Sequence, residues 1–403
     1  MYKVKILFAR LTIFILYCLI FLFALLPKKK AKKHGHIIVL TGTFYSKNWI
    51  DAHLIPIVTC SSVHHVYIVA NNVNYSVEGL TVVKSPELLT KYCGDTLARL
   101  ISFFICSVRM KPDYIGGFHI LFNASLAVLF AKILRCRSIY FCVGGITETL
   151  AAGKTENRFF KFLDGKDKFL TLYICRIAAA ADRIITMGNG AKLFLQEAGV
   201  HAANIHVISG AIDHNKFYPC VVQNGKKYDL VLTARLSKVK QVNLFLDVIN
   251  KIQYQKPDCK ALVIGDGPLL NDLKSYADSL NVSAMVDFAG HQDDVLSWLH
   301  QSKIYVLTSR SEGLALSMLE GLKTGLPAVV PNVGDLSDVL ISGYNGFLIE
   351  NHSVEDFARQ ILYLLNDEKL LNEYSHNALA STKRFDIECV QTQWLNVFQE
   401  PGS

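Results

Sequence analysis

The chain has 403 residues, 51% of them hydrophobic and 11% aromatic, which excludes a disordered or fibrous protein and leaves enough apolar side chain to fill two globular cores. The formal charge is +8, and part of the basic excess is gathered at Lys28, Lys29, Lys30, Lys32 and Lys33. A lysine run directly behind an apolar segment marks a membrane surface rather than nucleic acid.

That apolar segment, Leu11 to Leu26, runs sixteen residues without a charge. It is slightly short of the ~20 residues of a spanning helix, and Ile6 to Ala9 extend it if Arg10 snorkels. Phe-Ala-Leu-Leu-Pro then leads straight into the lysines with no small-x-small cleavage pattern, so residues 1–34 read as an uncleaved membrane anchor with a basic flank. Lys28 to Lys33 outnumber Lys3, Lys5 and Arg10, which places the large C-terminal part in the cytoplasm. The opposite topology, and an interfacial helix that never crosses, fit the same residues. The ten cysteines show no Cys-x-x-Cys and no Cys/His cluster, which favours a reducing compartment and argues against a zinc site.

Beyond the anchor, strands are expected at His36–Leu40, Val66–Ala70, Thr81–Val83, Tyr114–His119 and Ser138–Val143, with helices at Leu97–Val108 and Ala124–Leu134. Strand and helix alternating in this way indicate a parallel, doubly wound sheet with its working loops at the carboxyl ends of the strands. His119 and Gly144-Gly145 fall at two such ends. Thr147 to Lys168 is polar and basic with Phe159, Phe160 and Phe162 interleaved, either an ordinary loop or an acceptor or membrane contact. A helix over Leu170–Ala181, the strand Arg183–Met187, a helix over Ala191–Ala198 and the strand His206–Ser209 complete residues 35–222 as one domain.

Gln223 to Lys227 is hydrophilic and reads as the linker to a second domain, 223–385. It begins with the strand Asp229–Thr233, followed by Ala234-Arg235-Leu236-Ser237-Lys238-Val239-Lys240. The strand Ala261–Ile264 ends in Gly265-Asp266-Gly267-Pro268, and Met285–Ala289 ends in Gly290-His291. Lys303–Thr308 is a strand, Ser309–Gly313 a turn, and Leu314–Lys323 a helix closed by Gly325 and Pro327. Glu312 sits in the entry turn of that helix, and Glu320 lies eight positions on, about 12 Å along the axis. The free amides of the helix N-terminus favour a phosphate between them.

Glu-x7-Glu after a strand ending Leu307-Thr308-Ser309, followed by Gly321-Leu322-Lys323-Thr324-Gly325-Leu326-Pro327, resembles the C-terminal domain of retaining glycosyltransferases of family 4. Three further stretches carry the likeness: Gly210 to Pro219, Arg235-Leu236 with Lys240, and Gly343-Tyr344-Asn345-Gly346-Phe347-Leu348. The resemblance implies an α/β GT-B fold, with two Rossmann-like domains facing a cleft, an acceptor-side domain at 35–222 and a nucleotide-sugar domain at 223–385. It further implies that the last helix, within 386–403, crosses back to the first domain.

By that resemblance, Arg235 and Lys240 hold the donor's diphosphate, Glu312 the donor sugar's hydroxyls and Glu320 the ribose hydroxyls. The amides of Gly313, Leu314 and Ala315, with Gly265, Gly267, Gly290 and His291, border the nucleotide. Charge developing on the leaving phosphate is a physical reason for fixed cations there. The donor is then a nucleoside diphosphate sugar, with no further cofactor and no metal, and the acceptor a lipid-linked or other saccharide. Gly144 stands where many relatives place a His near the transferred sugar, and His119 on the neighbouring loop is the substitute candidate. A nucleotide-sugar epimerase of the same fold, or a non-catalytic partner protein at the membrane, are the rival expectations.

Overall fold

The computed structural model describes residues 2–29, 32, 34–44, 46–150, 160, 162–163, 165–220 and 225–399. Two compact units result: Met1–Ala211 with Ile387–Ser403, and Ile212–Asp386.

The first unit is built on seven parallel strands: β1 (His36–Thr41), β2 (Val63–Val69), β3 (Leu80–Val83), β4 (Tyr114–Phe118), β5 (Arg137–Cys142), β6 (Arg183–Thr186) and β7 (Ile205–Val207). Their order, β3-β2-β1-β4-β5-β6-β7, reverses between β1 and β4. The second unit has six: β8 (Tyr228–Thr233), β9 (Ala261–Ile264), β10 (Val286–Gly290), β11 (Ser302–Val306), β12 (Ala328–Pro331) and β13 (Gly346–Ile349). The order β10-β9-β8-β11-β12-β13 reverses between β8 and β11. In open sheets of this kind ligands bind at the carboxyl ends of the strands, where the order reverses.

Strand periodicity explains how the second unit fills. Leu230, Leu232, Val263, Ile304, Val306 and Val329 face one core, with the helices Val242–Ile252 and Val354–Leu365. Val231, Leu262, Ile264, Tyr305, Leu307 and Val330 face the other, with the helix Leu316–Lys323. Adjacent residues point to opposite faces and both faces are covered, so the strands read as unbroken apolar runs. Each fully buried Leu, Val or Ile contributes about 1.5–3 kcal/mol.

The boundary between the units differs from the expected one. The break between units falls at Ala211/Ile212 and not at 222/223, because Ile212 and Phe217 belong to the second unit's core and the Ile212 amide donates to the Phe385 carbonyl at 2.7 Å. Residues 223 and 224 of the expected linker lie outside the described residues. The apolar N-terminal segment is a helix from Tyr2 to Ala24, by length and composition able to cross a membrane, with Ala9, Ile13, Leu16 and Ile20 buried in the first unit's core. Phe160 is buried and Phe162 half-buried in that same core, while residues 151–159, 161 and 164 of the Thr147–Lys168 stretch lie outside the described residues.

Candidate functional site

The two loops that leave the β8 and β11 ends meet at the reversal point of the second sheet. Lys240 Nζ donates to Glu312 Oε1 at 2.6 Å, joining them by an ion pair with side chains 23% and 10% exposed. The backbones are locked as well: the Arg310 amide donates to the Val239 carbonyl at 2.8 Å, and the Thr308 hydroxyl to the Lys240 carbonyl at 3.1 Å. The pair is therefore held by main-chain contacts that do not depend on either charged side chain. Arg235, on the first of these loops, is exposed, and among the described residues its guanidinium has no hydrogen-bond or ion-pair partner.

The helix after Glu312 begins at Leu316, two residues later than the sequence suggested, with extended backbone at Ala315. Among the described residues the amides of Gly313, Leu314 and Ala315 donate to no protein acceptor. Such a run of unsatisfied donors at a helix entrance is a ready anion site. The Tyr305 hydroxyl donates to Ser317 Oγ at 2.8 Å and fixes the first turn.

Glu320 lies further along the helix, 8% exposed. Burial pushes its carboxyl up to about 7, against a smaller opposing influence of Lys216. Among the described residues it has neither hydrogen-bond nor ion-pair partner. A buried carboxyl left without donors is costly to keep, and is best explained by a ligand that brings them.

Gly265 and Gly267 pack closely against the β8 loop. With φ +135°, Gly265 lies so close to the β8 loop that an added Cβ would sit 1.9 Å from the Ala234 carbonyl oxygen, and one at Gly267 would meet that of Leu236 at 2.4 Å. These glycines let the loop carrying Arg235 pack down. Gly334, on the loop after β12, does the same for the Glu312 turn, where a Cβ would meet the Glu312 carbonyl at 2.1 Å. Gly290 has open space around it, and His291 is exposed, 3.6 Å from Asp293.

In the first unit His119 sits at the end of β4 with φ 65°, a left-handed conformation that non-glycine residues adopt at a cost. Its Nδ1 is 2.7 Å from Glu148 Oε1, and because a carboxylate only accepts, Nδ1 carries the proton. Among the described residues its buried Nε2 atom has no partner. Glu148 also accepts from the Ile120 amide at 3.0 Å, the Tyr140 hydroxyl at 2.9 Å and the Gly144 amide, tying the β4 and β5 ends together. Burial lowers the His119 pKa, but the charge and hydrogen bond of Glu148 outweigh it and the net shift is upward. Sequence reasoning missed Glu148, whose one signal was its place four residues after Gly144 at a strand end. Glu148→Gln removes the raising charge, so the His119 pKa read by NMR titration of the ring protons is expected to fall; an unchanged value would show that Glu148 does not control it.

Residues 220–380 match the family model for glycosyl transferases group 1. An Escherichia coli UDP-Gal:alpha-D-GlcNAc-diphosphoundecaprenol alpha-1,3-galactosyltransferase is 29% identical over 214 residues, 50% of this chain and 55% of the relative. A Staphylococcus aureus poly(ribitol-phosphate) alpha-N-acetylglucosaminyltransferase is 28% identical over 41% of this chain and 34% of its own. The chain thus spans about half, or less, of the length of these relatives. Anabaena Alr3699/HepE, crystallised with UDP, shares the fold with a TM-score of 0.68 at 18% identity, over 90% of this chain and 99% of that one.

Proposed function

We propose, from the membership of residues 220–380 in the group 1 glycosyltransferases, that this GT-B chain transfers a sugar from a nucleoside diphosphate sugar to a lipid-linked or polymeric saccharide with retention of configuration. The observation that carries the reading is the Lys240–Glu312 pair, with Arg235 on the same loop as Lys240, the amides of Gly313 to Ala315 and the buried Glu320 all without partners among the described residues. The diphosphate lies against Arg235, Lys240 and those amides, the ribose hydroxyls donate to Glu320, and Glu312 receives the sugar's hydroxyls.

In the reaction the bond from the anomeric carbon to the phosphate oxygen breaks with its electron pair passing to the diphosphate. The acceptor oxygen bonds to the same face of that carbon, and its proton passes to the leaving phosphate oxygen. Fixed cations and amides stabilise the charge that develops there without reorganising. The E. coli relative's UDP-galactose and the UDP in the Anabaena structure support uracil as the base, and the E. coli and S. aureus acceptors support a phosphate-containing saccharide. His119, held by Glu148 Oε1 at 2.7 Å, is proposed as a residue of the acceptor site in the first unit.

Calorimetric titration of the protein with UDP, GDP and ADP tests the donor site. UDP is expected to bind at least tenfold more tightly than the others, and Arg235→Ala to weaken it. If none binds the folded protein, the transferase reading fails.

A further inference from the structure

The N-terminal helix has two unlike faces. Ala9, Ile13, Leu16 and Ile20 pack into a core shared with the helices Ser125–Leu134 and Lys168–Ala179. Arg10 pairs with Asp167 at 3.1 Å and Lys28 with Asp182 at 2.5 Å, and the Arg135 guanidinium donates to the Pro27 carbonyl at 2.7 Å, so contacts fix the helix along its whole length. The opposite face carries Leu7, Phe8, Leu11, Ile15, Leu22 and Leu25, all exposed. Each of these would be expelled from water if a surface offered itself.

What covers that face is indicated by its charge. Tyr2 to Lys29 contains no acidic residue, and Lys3, Lys5 and Lys29 are exposed at its two ends. Beside the helix, Arg176 lies over the rings of Tyr17 and Tyr173, and Phe14 meets Tyr173 edge-on at 5.1 Å, an aromatic and basic rim of the kind that sits at headgroup level. A spanning helix would have to give up the packing of Ala9 through Ile20 or draw the Rossmann core into the hydrocarbon with it.

We propose that this helix lies in the plane of an anionic leaflet, docked on the first unit by one face and inserted by the other, and does not cross. The same core holds Ile120, Leu121 and Leu150, the residues that follow His119 and Glu148, so the helix sets the acceptor-side loops at the level of lipid headgroups. The proposal does not depend on the transferase reading.

The test uses the full chain with phosphatidylcholine vesicles, with and without 30 mol% phosphatidylglycerol, and single nitroxide labels from residue 4 to 26 in a background without the exposed thiols Cys18, Cys93, Cys220 and Cys389. Binding is expected to rise at least tenfold with phosphatidylglycerol and to fall at least tenfold in Phe8→Ser/Leu11→Ser/Ile15→Ser. Label depth is expected to be shallow and similar at 4, 8, 11, 15 and 22, and near zero at the packed positions, with helical period. A depth profile that climbs to one maximum mid-helix on every face would establish a crossing helix and overturn the proposal. So would failure of the vesicles to bind, or a second copy of the chain protecting the same outward positions. Cosedimentation of wild type and of the triple variant, with folding checked by circular dichroism, separates lost insertion from lost structure.

Discussion

Lys240→Ala is expected to lower kcat for sugar transfer by roughly 10²- to 10³-fold, the usual cost of removing one fixed donor from developing charge. The substitution removes the cation proposed for the diphosphate and also strips Glu312, whose side chain is only 10% exposed, of its ion-pair partner. Both ends of the donor are then misplaced. The fold should survive, because the Lys240 carbonyl still accepts from Thr308 and the Val239 carbonyl from Arg310. Lys240→Arg is expected to recover only part of the rate, since a planar fork is not a compact ammonium. Steady-state kinetics with a UDP-sugar check this: a KM change alone would mean that Lys240 binds the ground and transition states equally and does not speed the chemical step.

Glu320→Gln should make the protein more stable and a poorer binder at the same time. The folded carboxyl titrates at about 7 and the free group at 4.5, so folding favours the protonated form. The cost to stability grows as pH climbs from 4.5 through 7 and persists above, up to roughly 3 kcal/mol. Gln removes it, so the variant should be more stable at pH 8 and indistinguishable from wild type only by about pH 3.5, as read by urea unfolding. If only the ionised form receives the ribose hydroxyls, UDP affinity of the wild type rises roughly tenfold from pH 6 to 8, as the ionised fraction goes from about a tenth to about nine tenths. The diphosphate's own titration contributes to any such rise, and the variant isolates it, because its slope is then the ligand's alone. Identical slopes in the two proteins would remove Glu320 from the ribose site.

The candidate residues of the second unit were legible because Arg235, Lys240 and Glu312 lie in loops and, with Glu320 in the helix that follows, stand out as charged positions among apolar strands. Gly265 and Gly267 were visible in the sequence, but their close approach to the β8 loop was not, because a Gly-x-Gly turn does not name its neighbour. In the first unit, the helix Lys47–Val58 was missed, having Pro56 inside it, and Glu148 had no patterned partner to mark it. The N-terminal helix hid its packed face for a plain reason. When nearly every position is apolar, the stripe Ala9, Ile13, Leu16, Ile20 carries no contrast, and a docked helix reads as a lipid-facing one. Its inward face is legible only from what it touches.

The most direct test of the central claim is transfer itself. Protein incubated with radiolabelled UDP-sugars and a bacterial lipid-linked saccharide fraction should move label into the acceptor with release of UDP, giving an α-linkage from an α-donor, and Lys240→Ala should not. UDP released with the sugar returned free or epimerised, or binding of UDP with label entering no acceptor at all, would contradict the account.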